Sequence, residues 1–237
     1  MKHKLLFSVL IGLLFTSCEN QETDGTAHYT GALKTLMSGD LRATASLDSL
    51  SRMRNSYALG AIENLKGEVQ IFNAEPFNSQ VVNSQVVIDN SFKAKASLLV
   101  WAQVDAWVEL SIPSEVKDIS QLEQFIMKHA KAQGLDVEKP FPFLLEGKAM
   151  SLNWHVIDWI DGDTIHTHEK HKTSGSNGVL KNQKVEVLGF YSEKHKGVFT
   201  HHSTLMHMHF KTDNGDLAGH VDDLELAHSM ILKLPKK

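Results

Sequence analysis

Residues 205–224 read LMHMHFKTDNGDLAGHVDDL. Two alternating runs flank Asn214-Gly215, the dipeptide that most strongly favours a two-residue type I′ hairpin turn. With that turn Asp213 faces Asp216, and facing residues carry numbers that total 429. His209 then lies opposite His220, and His207 shares their face because side chains alternate along a strand. Facing residues in a hairpin have Cβ atoms about 4.5–5.5 Å apart, and the diagonal neighbour is still in reach. Three imidazoles that converge while leaving a position open are the usual makings of a catalytic zinc site, although iron, nickel and copper accept the same donors. Asp222 faces His207 in this register. That suits a partner fixing an imidazole tautomer, a fourth ligand, or a plain polar strand residue.

The chain has 237 residues, 14 histidines, one cysteine and a formal net charge of −4. It opens with Lys2, His3 and Lys4, then an 11-residue apolar run from Leu5 to Phe15, then Thr16-Ser17-Cys18. The run is too short to span a bilayer, and the layout is that of a signal peptide over residues 1–17. Cys18 sits where a bacterial lipoprotein carries its lipid, and residues 18–27 suit a flexible tether. The expected location is the bacterial cell envelope, either lipid-anchored or periplasmic or secreted after cleavage. Removing Lys2 and Lys4 takes the net charge to −6. No basic patch appears, which argues against a nucleic-acid partner, and the mature chain has no cysteine pair, so a packed core must stabilise it.

The remaining pattern is mostly strand. Helices are expected over residues 28–38 and 46–53, and more clearly from Gln121 to Gln133, with Ser120 and Glu123 as a capping box and Gly134 as the stop. Strands are expected at 57–62, 69–72, 81–88, 96–104, 107–112, 151–158, 163–168, 185–191, 205–211 and 217–224, with a polar loop over 172–181. Pro140 and Pro142 place a linker near residues 135–149. The chain therefore reads as an α+β protein of two mixed or antiparallel sheet-based halves, 28–149 and 150–237, with the metal hairpin between them.

Two segments resemble the α-acetolactate decarboxylase family. YALGAIENLKGEVQIFNAEPF (residues 57–77) is similar to that family's G-x-x-x-x-L-x-G-E hairpin through Gly60, Leu65, Gly67 and Glu68. GFYSEKHKGVFTHHSTLMHMHFKTDNGDLAGHVDDLEL (residues 189–226) carries its H-x-H-F run followed by G-H-V. The resemblance implies a zinc-dependent lyase acting on a small 2-hydroxy-3-keto acid, turning 2-acetolactate into acetoin and carbon dioxide, and a homodimer. Zinc would hold the hydroxyl and keto oxygens and stabilise the charge that develops as the C–C bond breaks. Glu68 matches the hairpin glutamate and is the candidate proton-handling group, while Glu63, facing it across the loop, reads as an exposed hairpin carboxylate.

The chain departs from the family in two respects. The family uses an arginine from a strand of the second half, but the three arginines here, Arg42, Arg52 and Arg54, all precede residue 55. His166 or His168 takes the comparable place in this reading, and an imidazole lacks the bidentate fork of a guanidinium. The family's longer tail brings another glutamate, whereas Glu225 is the sole glutamate after His220. The rival reading is a non-catalytic envelope lipoprotein that kept the hairpin to bind zinc or a small ligand. A cupin would need a glutamate soon after H-x-H, where Lys211, Thr212 and Asp213 stand instead.

Overall fold

The structure, a computed structural model, describes residues 25–201, 203–228 and 230–237. The expected signal segment, Cys18 and nearly all of the tether lie outside those residues. Among the described residues no helix is long and apolar enough to cross a membrane.

The first part of the chain forms β1 (His28–Thr30), α1 (Leu33–Met37), β2 (Ala45–Ser46), β3 (Ser56–Ile62), β4 (Glu68–Phe72), β5 (Glu75–Pro76), β6 (Asn78–Val82), β7 (Gln85–Asp89) and β8 (Lys95–Gln103). The second forms β9 (Trp107–Ser111), α2 (Ile119–Ala132), β10 (Phe141–Val156), α3 (His168–Thr173), β11 (Ser176–Tyr191), β12 (Met206–Thr212), β13 (Ala218–Leu226) and β14 (Ile231–Pro235). The first sheet runs β1-β8-β3-β4-β6-β7, with β2 on β8 and β5 on β4. The second runs β11-β12-β13-β10-β14-β9, and β10 also pairs with β11. The strands β10, β11, β12 and β13 thus close on themselves, which removes open edges around the site. This is the expected α+β architecture of two antiparallel sheets.

The sheets divide the chain between Gln103 and Trp107, not near residue 149. The expected linker at 135–149 is largely the first half of β10. Pro142 is tolerated there because β14 joins that edge only from Leu144 onward, so the missing N–H costs no ladder bond. The expected strand at 81–88 is a hairpin, β6–β7, turning at Asn83 and Ser84, both with positive φ. The segment 163–168 is not a strand. It is a loop leading into α3, whose first turn is capped by the Thr167 hydroxyl accepting from the Lys170 N–H at 3.2 Å.

Residues 28–38 split into β1 and the short α1, and 46–53 holds only a 3₁₀ turn at Leu47–Leu50. Helix α2 is capped two residues earlier than expected, where Asp118 accepts from the Gln121 N–H at 2.8 Å. Glu123 instead accepts from the Leu205 N–H at 2.7 Å and the Thr204 hydroxyl at 3.0 Å, fixing the chain just before β12.

Three apolar clusters hold the layers together. Leu122, Ile126 and Ala130 of α2 pack on Phe143, Leu145, Leu224 and Leu232 of the second sheet. Leu59, Leu98 and Val100 of the first sheet meet Leu144, Leu188 and Phe190 of the second, and this inter-sheet layer sets the spacing at the site. Leu47 and Leu50 cover the outer face of the first sheet over Ala58, Val69 and Ile71. Each fully buried leucine contributes about 1.5–3 kcal/mol.

Candidate metal centre

The hairpin β12–β13 pairs His209 with His220, Phe210 with Gly219 and Lys211 with Ala218, the expected register. The turn differs. The Thr212 N–H donates to Leu217 O at 2.9 Å, the Leu217 N–H donates to the Thr212 hydroxyl at 3.2 Å, the Gly215 N–H donates to Thr212 O at 2.9 Å, and only Gly215 of the Asn-Gly pair has positive φ. A type I′ turn needs positive φ at both central residues. The loop is four residues long, and because it is centred on the same bond it leaves the register unchanged.

His207 Nε2, His209 Nε2 and His220 Nδ1 lie 3.1, 3.3 and 3.3 Å from one another, and all three side chains are buried. Three imidazole nitrogens at about 2.0–2.1 Å from a tetrahedral ion are separated by about 3.3–3.4 Å, so the triangle has the dimensions of one face of such a site. Burial pushes all three imidazoles well below their ordinary range, His209 to about 3, and mutual repulsion adds to it. They are therefore neutral bases with lone pairs free for a cation. The donors fit a divalent transition metal.

The first sheet completes the site from the opposite side. Gln70 on β4 is fully buried, and its amide, turned to satisfy its neighbours, accepts from His209 Nδ1 at 3.1 Å and from the Gly219 N–H at 3.3 Å while donating to Phe77 O at 2.7 Å. This fixes the proton on His209 Nδ1 and leaves Nε2 to the triad. Glu68, two residues earlier on the same face, is also buried. Its Oε1 accepts from the Ile157 N–H at 3.2 Å, and its Oε2 stands 4.0 Å from His209 Nε2. Burial pushes its carboxyl well above the usual range, against the opposing effect of the Ile157 N–H. Gly67 makes this approach possible: with φ at +140°, a Cβ there would lie 2.2 Å from Ser79 O. Glu63 is not part of the site; it accepts from the Ala43 N–H at 3.2 Å.

Asp222 does not reach His207. The β12–β13 ladder ends at His209–His220, and β13 continues on β10 across a register shift. There Asp222 meets His155, whose Nδ1 lies 2.9 Å from Asp222 Oδ2 and whose Nε2 lies 3.7 Å from Glu68 Oε1. Lys172 of α3 lies 3.2 Å from the other Asp222 oxygen. Burial raises the Asp222 carboxyl, but His155 and Lys172 together hold it below the usual range.

His155 and Gln70 were not singled out by the sequence. The alternation of buried polar Glu68 and Gln70 along β4 is a signal for the second; only the long-range pairing of β10 with β13 reveals the first. Of the two residues expected at the arginine's place, His166 stacks on Trp159 at 4.3 Å and bonds His171 at 3.0 Å, outside the cavities at the triad. His168 does line those cavities, with its ring 4.8 Å from His201.

The pattern of the alpha-acetolactate decarboxylase family matches residues 28–234, so the match takes in Glu68, His155, the histidine triad and β14. The chain belongs to the alpha-acetolactate decarboxylase family. The fold agrees. Acetolactate decarboxylase from Bacillus subtilis strain 168 superposes with a TM-score of 0.69 at 12% identity, covering 89% of this chain and 86% of that one. The enzyme from Bacillus subtilis subspecies spizizenii gives 0.70 at 14% identity with the same coverages. A Staphylococcus aureus protein of unknown function, described as similar to alpha-acetolactate decarboxylase, gives 0.68 at 15%, covering 89% and 85%. No curated protein sequence matches this chain significantly. Alpha-acetolactate decarboxylases are carboxy-lyases acting on a small molecule, and that kind of enzyme is what the family match assigns here.

Proposed function

We propose that this protein is a zinc-dependent carboxy-lyase that converts 2-acetolactate to acetoin and carbon dioxide. The observation that carries the reading is the buried triangle of His207, His209 and His220 with the Glu68 carboxyl at its edge. A divalent ion held by the triad supplies Lewis-acid stabilisation of negative charge developing on the keto oxygen.

In the reaction the bond between the carboxyl carbon and C2 breaks, and its electron pair moves into a new C2–C3 double bond as the keto oxygen takes up the charge. C2 must then receive a proton. Glu68 is the group placed to give it, because one of its oxygens is fixed by the Ile157 N–H while the other faces the triad. His155, oriented by Asp222, faces the fixed oxygen of Glu68 and positions it.

The carboxylate of the substrate needs a cation. Arg42 lines neither cavity at the triad, and Lys172, though paired with Asp222 at 3.2 Å, lines both. Among the described residues, Lys172 is the one lysine or arginine lining the two cavities at the triad, and we assign it this part. Attachment to an envelope membrane through Cys18 is proposed from the sequence alone.

The test is to load the protein with zinc, add racemic 2-acetolactate and assay acetoin, with chelated protein as control. Acetoin formation that disappears on chelation is expected; no acetoin from fully loaded protein would end the proposal.

A further inference from the structure

The cavity at the triad, about 60 Å³, does not end at the surface. It shares Leu33, Leu36, His168, His171 and His201 with an adjoining chamber of about 600 Å³. The chamber lies between α1, α3 and the residues Gly197, Thr200, His201 and Ser203. Leu33, Leu36 and Met37 of α1 give it an apolar side, and Met37 keeps 41% of its surface exposed. A space of that size accommodates ligands far larger than 2-acetolactate. The inner end carries the charged and ligating groups Glu68, His207, His220 and Lys172; Leu33 and Leu36 of α1 line both spaces, and Met37 belongs to the outer chamber alone.

We infer that the preferred substrate is a 2-hydroxy-3-keto acid whose acyl group carries an extended apolar chain, with the chain lying in this chamber. The inference rests on the lyase reading for its reacting end and adds the substrate class. The carboxylate and the two oxygens occupy the inner cavity, and a chain of several methylenes runs outward past His168 and His201 to Leu36 and Met37. A burial of that kind tightens binding by about fourfold for each fully covered methylene.

Two measurements test it on the full-length protein. The first is binding of unreactive 2-hydroxy acids, lactate against 2-hydroxyoctanoate, by calorimetry. The longer acid is expected to bind at least about thirtyfold more tightly, allowing for partial burial of its five extra methylenes, with a more negative heat-capacity change. Met37→Trp fills the chamber from an already exposed position and is expected to cut that ratio about tenfold; Leu36→Phe is the second probe of the same side. The second measurement is carbon dioxide release by the zinc-loaded protein from acids with acetyl, butanoyl and hexanoyl groups, where kcat/KM is expected to rise along the series.

Equal affinity for the two hydroxy acids overturns the chamber assignment, and so does a ratio that Met37→Trp leaves unchanged. Turnover of 2-acetolactate with no dependence on chain length refutes this inference and leaves the lyase reading standing. Chain-dependent binding without turnover of any acid supports the chamber and removes the lyase reading.

Discussion

Replacing Gln70 by leucine removes an amide while nearly conserving volume, and its consequences can be worked from the contacts. The Gln70 amide serves the His209 Nδ1–H, the Gly219 N–H and the Phe77 carbonyl, all inside the protein. Each buried polar group left without a partner costs about 1–3 kcal/mol. Some relaxation is available, so the metal-free variant should lose about 3 kcal/mol of stability, read from urea unfolding. The second effect is on the metal. Without the Gln70 acceptor, the His209 ring is held by the Val69 backbone alone, and a fraction of molecules place the proton on Nε2, where it blocks ligation. Loss of such an outer partner typically weakens metal binding by about 10–100-fold. The assay is competition for zinc against a chromophoric chelator, done in buffer where circular dichroism shows the variant folded. A folded Gln70→Leu protein that binds zinc as tightly as the wild type would refute the assignment of Gln70 as the holder of His209, and with it the orientation of the triad.

Further predictions follow from other side chains. His209→Ala should abolish tight zinc binding, and elemental analysis showing one zinc per chain in that variant would exclude the proposed ligand set. Glu68→Gln should keep zinc and lower acetoin formation by about 10²–10⁴-fold; an unchanged rate would take Glu68 out of the proton transfer. Lys172→Met should raise KM for 2-acetolactate by about 10–100-fold with Lys172→Arg restoring it, whereas indifference of KM to the charge would place the carboxylate elsewhere. Burial holds His171 and His201 down to about 4, so the unfolded chain binds more protons than the folded one below the ordinary value of 6.5. Metal-free stability should therefore be full above pH 6.5 and fall towards pH 4, by at most about 1.4 kcal/mol per pH unit for each such group and less for the half-buried His171. Urea midpoints at pH 7 and 5 that coincide would contradict this.

The sequence revealed the features that depend on neighbours in the chain. The register of β12 on β13 is legible because it depends only on where the loop is centred, so a four-residue loop gives the same pairing as the two-residue turn expected from Asn214-Gly215. True two-residue turns with positive φ at both positions occur at Asn73-Ala74 and Asn83-Ser84, where no glycine announces them. The strand expected at 163–168 failed because the alternation of Thr164 to His168 competes with the capping hydroxyl of Thr167. Pro142 was read as a break because the sequence does not show which edge of β10 is unpaired. His155 was invisible for a related reason: it stands opposite His220 only through the pairing of strands more than sixty residues apart. The same pairing needs Gly219, where a Cβ would lie 2.7 Å from His155 O.

All three imidazoles of the triad belong to the second sheet, while Glu68 and Gln70 come from the first. Capture of an ion and use of that ion are thus lodged in separate layers. The second sheet by itself carries the three donor nitrogens, and the first carries the acid and the amide that disciplines one of the rings. The packing of the two sheets is what brings Glu68 and Gln70 to the triad. Damage to the inter-sheet layer at Leu59, Leu98 or Leu188 would part Glu68 and Gln70 from the triad, and with Gln70 gone the grip on an ion would loosen as well.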